Sequence, residues 1–340
     1  MRGKPSLTEL YNPRRSVVSL FFLESAAFCA PRAPAMKLHP FRITPHCERI
    51  SAKDRFKIYL GALLHPTQTQ RWLNFVSAHP VLMGAVREHP KLLSKIYRPY
   101  FSRRLGCARR VELLMDHYGF MLEQGLEPVL ARAARENLVL CQLQGKSGAT
   151  FQVELSAVHE GHREGDLCLR LMLDGEMVFS ASFVFMRRHG KPCVAIGRLQ
   201  GGRCEGSREL VRRATKDFYG CRPGVVLVQA VRQIGASLGC ERLILISNRD
   251  RVALNPWRRR KISSNYDALW GEIGARPSDC GNFELRCDEV PQPVLEEVPS
   301  RKRTEVKRKF AMLDAMYVGL QLQLAVWVSE LPVIETLTQL

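Results

Sequence analysis

The spacing of apolar residues changes near Thr150, and that change constrains the fold more than any other feature. From residue 51 to about 140 they recur at intervals of three and four, the period of a helix with one buried face. From Phe151 they alternate with period two, the mark of a strand with one face in the core. Helices first, then strands, then mixed elements point to an α+β chain: a helical region packed on a mixed, largely antiparallel sheet with flanking helices. The divisions read as 1–50, an extension in part without fixed structure; 51–145, helical; 146–295, sheet; and 296–340, a basic amphipathic helix and tail.

The helical region is punctuated by His-Pro pairs. A residue before proline is pushed out of helical angles, so His79 and His89 read as stops rather than ligands. The first helix, "SAKDRFKIYLGALL", has Ser51 as a cap and would bury Phe56, Leu60, Leu63 and Leu64. A later one, "RRVELLMDHYGFMLEQGL", would bury Val111, Leu114, Tyr118 and Met121.

The sheet region opens with "TFQVELSAV". "DLCLRLMLDGEMVFSASFVFMRR" follows, two strands about the turn Asp174-Gly175. A two-residue turn would set Leu169 opposite Ser180. A three-residue loop through Glu176 sets Leu171 opposite Phe179, Leu169 opposite Ala181 and Leu167 opposite Phe183. The second register keeps one apolar face together and is preferred. "CVAIGRLQ" is a further strand. A helix follows with Ser207 as its cap, then one with Pro223 in its first turn and Gly239 as its stop. "ERLILIS" is a buried strand, "YDALWGEIGA" a short helix and "GNFELRC" a last strand.

In the tail, Val306, Phe310, Leu313, Tyr317, Leu320, Leu324 and Trp327 form a heptad seam. It would pack on the N-terminal helices or pair with a second copy, giving a homodimer.

Charge supplies the main functional signal. With 51 lysines and arginines against 33 acidic residues, the net charge is +18. Such a surface draws anionic partners: RNA, acidic lipid or an envelope-protein precursor. Eleven scattered cysteines without C-x-x-C argue against a disulfide framework or a zinc ribbon, so reduced thiols in a cytoplasmic protein are expected, with peripheral association with a membrane as the alternative location. No apolar run reaches the roughly 18 residues of a span. Arg14 to Ala35 imitates a signal peptide, though Glu24 interrupts it, and Met36 offers an alternative start.

Three segments could hold an anion. "GRLQGGRC" places Arg198, Gly201, Gly202 and Arg203 between a strand and a helix, where free amides favour negative charge. It lacks the P-loop and Rossmann patterns. "SNRDRVALNPWRRRKISSNYDALW" places Arg249, Arg258, Arg259 and Arg260 beyond a strand end, with Trp257, Tyr266 and Trp270 available to stack on a ring. "RKRTEVKRK" forms a cationic helix surface. No nucleophile–base pair stands out: Ser182 and Ser207 lack a histidine partner. His159 and His162 sit in a hairpin loop, and no metal site is expected.

"RPYFSRRLGCARRVELLMDHYGFM", "IGRLQGG", "ATKDFYGCRPGVVLVQAVRQIGASLGCERLILISNRDRV", "YDALWGEIG" and "SRKRTEVKRKFAMLDAM" resemble, in order, segments of the VirK/YbjX family of Gram-negative bacteria, over roughly residues 53–325. The resemblance implies a role in virulence, antimicrobial-peptide resistance or the envelope, and brings no catalytic residues with it. A non-catalytic binder of an anionic partner is the leading expectation. Arg198-x-x-Gly201-Gly202-Arg203 also resembles the loop with which GNAT acyltransferases hold acyl-coenzyme A, except that Arg203 stands where a small residue is expected. That second resemblance implies a GNAT-like fold and, as an alternative function, an acyltransferase using coenzyme A.

Overall fold

The computed structural model describes residues 52–158, 163–202, 205–253, 264–288 and 293–329, all within one unit, Ala35–Leu340. Helices α1 (Ala52–Leu64), α2 (Pro66–Ser77) and α3 (Pro80–Glu88), a 3-10 stretch (Pro90–Tyr97), α4 (Cys107–Glu123) and α5 (Glu127–Ala133) come first. Proline occupies the first turn of α2, of α3 and of the 3-10 stretch. It has no amide to leave unpaired there, so each His-Pro starts the next helix as well as ending the last. His79 Nδ1 bonds the Phe75 carbonyl at 2.7 Å and His89 Nε2 the Ala134 carbonyl at 2.6 Å. Both histidines are structural.

In α4, Val111, Leu114, Tyr118 and Met121 are buried as the spacing requires. In α1 the expectation is reversed. Ile58 and Ala62 are buried, while Phe56, Leu60, Leu63 and Leu64 face outward. Gly61 lies against the Tyr97 ring, where a Cβ would come within 2.5 Å, and this contact sets the inward face. Ser51 lies outside the described residues.

Eight strands form one sheet in the order β1-β2-β3-β4-β5-β6-β8-β7. β1 (Leu138–Gln144), β2 (Thr150–Ala157), β3 (Leu167–Leu173), β4 (Glu176–Arg188) and β5 (Lys191–Gly201) make an antiparallel meander. The sheet therefore begins at Leu138, earlier than the change of period suggests. Helices α6 (Ser207–Asp217) and α7 (Pro223–Ser237) cross over to β6 (Arg242–Leu245), which lies parallel to β5. Helix α8 (Tyr266–Glu272), β7 (Arg276–Pro277) and β8 (Phe283–Arg286) complete this edge, and α9 spans Ser300–Ser329. The chain is α+β.

The β3–β4 register sets Leu171 opposite Phe179, Leu169 opposite Ala181 and Leu167 opposite Phe183, as preferred from sequence. The means differ. Leu173 pairs with Glu176, so the turn has two residues, Asp174 and Gly175, both at positive φ. Val178 is then the extra residue of a bulge, and it restores the apolar face. Gly206, not Ser207, is the N-cap of α6. Pro223 opens α7, and Gly239 follows its end at φ 77°. The seam residues Leu313, Tyr317, Leu320, Leu324 and Trp327 are buried. Helix α9 packs on β1 and α7 rather than on the N-terminal helices, and Gly319 lets it approach Cys141 closely.

Candidate functional site

Residues directly opposite one another in a sheet share a face, so the register assembles side chains distant in sequence. One face carries Leu155, Leu169, Ala181 and Leu199 in a row, an ordinary core. On the other face, Ser156, Cys168, Ser182 and Arg198 form a continuous row across β2, β3, β4 and β5. Beside it runs a second polar row, Glu154, Arg170, Ser180 and Gln200.

This polar floor is not solvated. Ser156, Cys168, Ser180 and Ser182 are all buried, and Arg198 is half-buried. Arg170 pairs with Glu154 at 3.1 Å, and Ser180 donates to the Gln200 carbonyl at 3.2 Å. Among the described residues, the Ser156 hydroxyl and the Nε groups of Arg170 and Arg198 are buried without a hydrogen-bond partner, and the Ser182 hydroxyl has only the Cys168 thiol beside it. Buried polar groups are paired in the great majority of cases, so this face keeps hydrogen-bonding capacity to spare among the described residues.

A bulge gives Arg198 its place. Ser182 pairs with Arg198 and Phe183 with Ile196, so Gly197 is the extra residue of β5. Any Cβ at Gly197 would run into the Glu164 carbonyl and the Phe101 ring. Three segments converge over it: the Phe101 amide donates to Arg163 at 2.6 Å, Arg103 to the Asp250 carbonyl at 3.0 Å, and Arg104 pairs with Asp250 at 2.9 Å.

Beyond Ile196 and Leu245 the parallel pairing of β5 and β6 stops. The freed backbone of Leu199 is taken by the Tyr266 hydroxyl, which accepts from its N–H and donates to its C=O, both at 2.6 Å. Arg251 lies over the Tyr266 ring at 3.6 Å and donates to the Ser264 carbonyl at 2.9 Å. Burial pushes the Tyr266 phenol up, against the pull of Arg251 and Arg198.

The sequence candidates are thus dispersed. Arg198 stands on the floor. Gly201 ends β5 against Phe179, and the Gly202 amide donates to Val178 at 3.2 Å, so these glycines are ladder residues rather than an anion cradle. Arg249 is exposed and reaches Asp250 and the Cys280 carbonyl, both at 3.4 Å. Tyr266 and Trp270 do not await a ligand. Both are buried, with the Trp270 indole donating to Ile246 at 2.8 Å. Arg203, Trp257, Arg258, Arg259, Arg260, His159 and His162 lie outside the described residues. Ser156 and Cys168 were missed, because a small polar residue at every second strand position reads as a solvated face.

A second polar cluster joins the helices to the sheet. Asp166, with no side-chain exposure, pairs with Lys95 and accepts from the Tyr100 hydroxyl. Burial pushes its carboxyl up, but the charges of Lys95 and His117 and these hydrogen bonds prevail and hold it below the usual range. His117 Nδ1 accepts from the Phe185 amide at 3.1 Å, and burial lowers its pKa to about 4. Burial and then the Asp166 charge push the phenols of Tyr100 and Tyr118 well up. This cluster is sealed and structural.

The floor suits binding better than bond-making. Among the described residues, neither the Ser156 nor the Ser182 hydroxyl is hydrogen-bonded to a base. Burial pushes the Cys168 thiol up despite Ser182, Arg198 and Arg170, which keeps it protonated and a poor nucleophile.

Residues 48–321 match the family model described as "Protein of unknown function (DUF535)". The chain belongs to this family. It is similar to the "Uncharacterized protein YbjX" of Escherichia coli, 27% identical over 267 residues, 77% of this chain and 81% of that one. An "Uncharacterized protein" of Haemophilus influenzae is 24% identical over 78% of this chain and 87% of its own length. The "Membrane protein LapB" of Mannheimia haemolytica is 25% identical over 57% of this chain and 82% of its own. These matches bear out the VirK/YbjX resemblance. Among solved structures, a cAMP-binding acyltransferase from Mycobacterium smegmatis is 13% identical with a TM-score of 0.28, over 65% of this chain and 61% of that one.

Proposed function

We propose that this DUF535 chain is a non-catalytic binder of an anionic ligand, held on the polar face of the sheet, and that it works at the bacterial envelope. One observation carries the reading: Arg198 is half-buried, and its Nε is sealed from water with no hydrogen-bond partner among the described residues. A fork of fixed donors suits a phosphate or carboxylate. The Ser182 hydroxyl, opposite it, supplies a further donor. The net charge of +18 would steer such ligands in. The envelope setting rests on the family resemblance and on the similarity to the membrane protein LapB of Mannheimia haemolytica.

The test is a thermal-shift and calorimetric series with inorganic pyrophosphate, a short RNA and vesicles of acidic lipid, on the full chain and on Arg198→Met. A hydrogen bond to a charged group contributes about 1.5–3 kcal/mol, so the variant should bind its best probe about 10- to 100-fold more weakly. Equal binding by both proteins would remove Arg198 from the site.

The acyl-coenzyme A reading rests on the resemblance of Arg198-x-x-Gly201-Gly202 to the GNAT loop, and against it the Gly202 amide already donates to Val178 at 3.2 Å. Coenzyme A at a hundred times its dissociation constant would add about 2.7 kcal/mol of stability, so an unchanged melting temperature at millimolar coenzyme A counts against this reading.

A further inference from the structure

We propose that the outward face of α1 docks on the surface of an anionic lipid bilayer, separately from the sheet site. Phe56, Leu60, Leu63 and Leu64 are 67%, 45%, 66% and 66% exposed. Their spacing of four, seven and eight residues from the first places them in one stripe. A soluble surface carries single exposed apolar residues everywhere, but a contiguous stripe of leucines and a phenylalanine marks an interaction site.

Charge and shape choose the occupant. Lys53 and Lys57 are exposed on the same side of the helix, three residues before Phe56 and Leu60. An apolar face with Phe and Leu, rimmed by lysines, is the make-up of a helix lying in the headgroup boundary of an acidic membrane. At 13 residues, α1 is shorter than two heptads, too short for a coiled-coil partner, which needs three or four. Nor does one short helix face reach the roughly 800 Å² per partner of a stable protein interface. A shallow apolar bilayer boundary asks for neither. The opposite face is anchored by Ile58, Ala62 and the Gly61–Tyr97 contact, so the stripe is presented without unfolding.

The experiment is co-sedimentation of the full chain with vesicles of phosphatidylcholine, with and without phosphatidylglycerol. Wild type should bind the phosphatidylglycerol vesicles, less so at high salt. Leu60→Glu with Leu63→Glu should bind them at least about 10-fold more weakly with an unchanged melting temperature, since both sites are exposed. Lys53→Gln with Lys57→Gln should weaken binding to phosphatidylglycerol vesicles only. Leu322→Glu, at an exposed apolar site on α9, should change nothing. The proposal is overturned if wild type does not sediment with phosphatidylglycerol vesicles or if the double glutamate variant binds as tightly as wild type. It also fails if Leu322→Glu weakens binding equally, or if the stripe variants instead split a dimer.

Discussion

Asp166→Asn tests whether the joint between the helices and the sheet is electrostatic. The Asp166 side chain is fully buried, and that of Lys95 is 9% exposed. Asparagine keeps an acceptor for the Tyr100 hydroxyl but leaves the Lys95 ammonium buried beside no charge. Breaking a buried pair from one side costs about 3–5 kcal/mol. Unfolding entropy of about 2.1 cal/mol/K per residue, over 340 residues, makes this a fall of about 4 to 7 °C in melting temperature. Differential scanning calorimetry reads it directly. Lys95→Met combined with Asp166→Asn removes both charges and should recover at least half of the loss. A single variant melting within about 1 °C of wild type, or a double variant worse than the sum of its parts, would refute the argument.

Stability should also depend on pH through His117. Its folded pKa is about 4, against about 6.5 unfolded, so between those values only the unfolded chain takes up the proton. Stability is therefore full above pH 6.5 and falls as pH drops towards 4, by about 3 kcal/mol at most, and His117→Gln should flatten urea-denaturation midpoints over that window. Asp166 adds a further loss at lower pH, as its depressed folded pKa is reached. Gly197→Ala should destabilise by about 1–3 kcal/mol, measured by urea unfolding, because its methyl meets the Glu164 backbone. Tyr266→Phe should cost about 1–3 kcal/mol and speed amide exchange at Leu199, whose N–H and C=O lose their shared partner.

Where local rules act, the sequence was a good guide. The His-Pro starts, the burial of Val111, Leu114, Tyr118 and Met121, and the Gly239 stop follow from backbone chemistry and from one helix's own period. The β3–β4 register was also legible, because only one pairing keeps Leu167, Leu169 and Leu171 with Phe183, Ala181 and Phe179. The bulge at Val178 was not, since it and a three-residue turn give the same face. Helix α1 was read inside out. Its strongest apolar stripe faces outward because Gly61 fits against Tyr97, a contact 36 positions away that no local period contains. β1 went unseen because "LVLCQLQ" mixes leucines with glutamines and its pairing depends on β2. The site was the least legible part. Ser156, Cys168, Ser182 and Arg198 are separate strand residues until the register aligns them. Their burial depends on what folds over the sheet, which spacing does not encode. Likewise Lys95 and Asp166 lie 71 residues apart.

The central claim is that the Arg198 guanidinium waits for an anion, and side-chain NMR of arginine Nε–H groups tests it most directly. Titrating the full chain with inorganic pyrophosphate should shift the Arg198 signal, assigned by its loss in Arg198→Met, along a saturable curve. It should also slow exchange of that proton with water. An Arg198 signal that stays in place while surface arginines drift in proportion to salt would contradict the account.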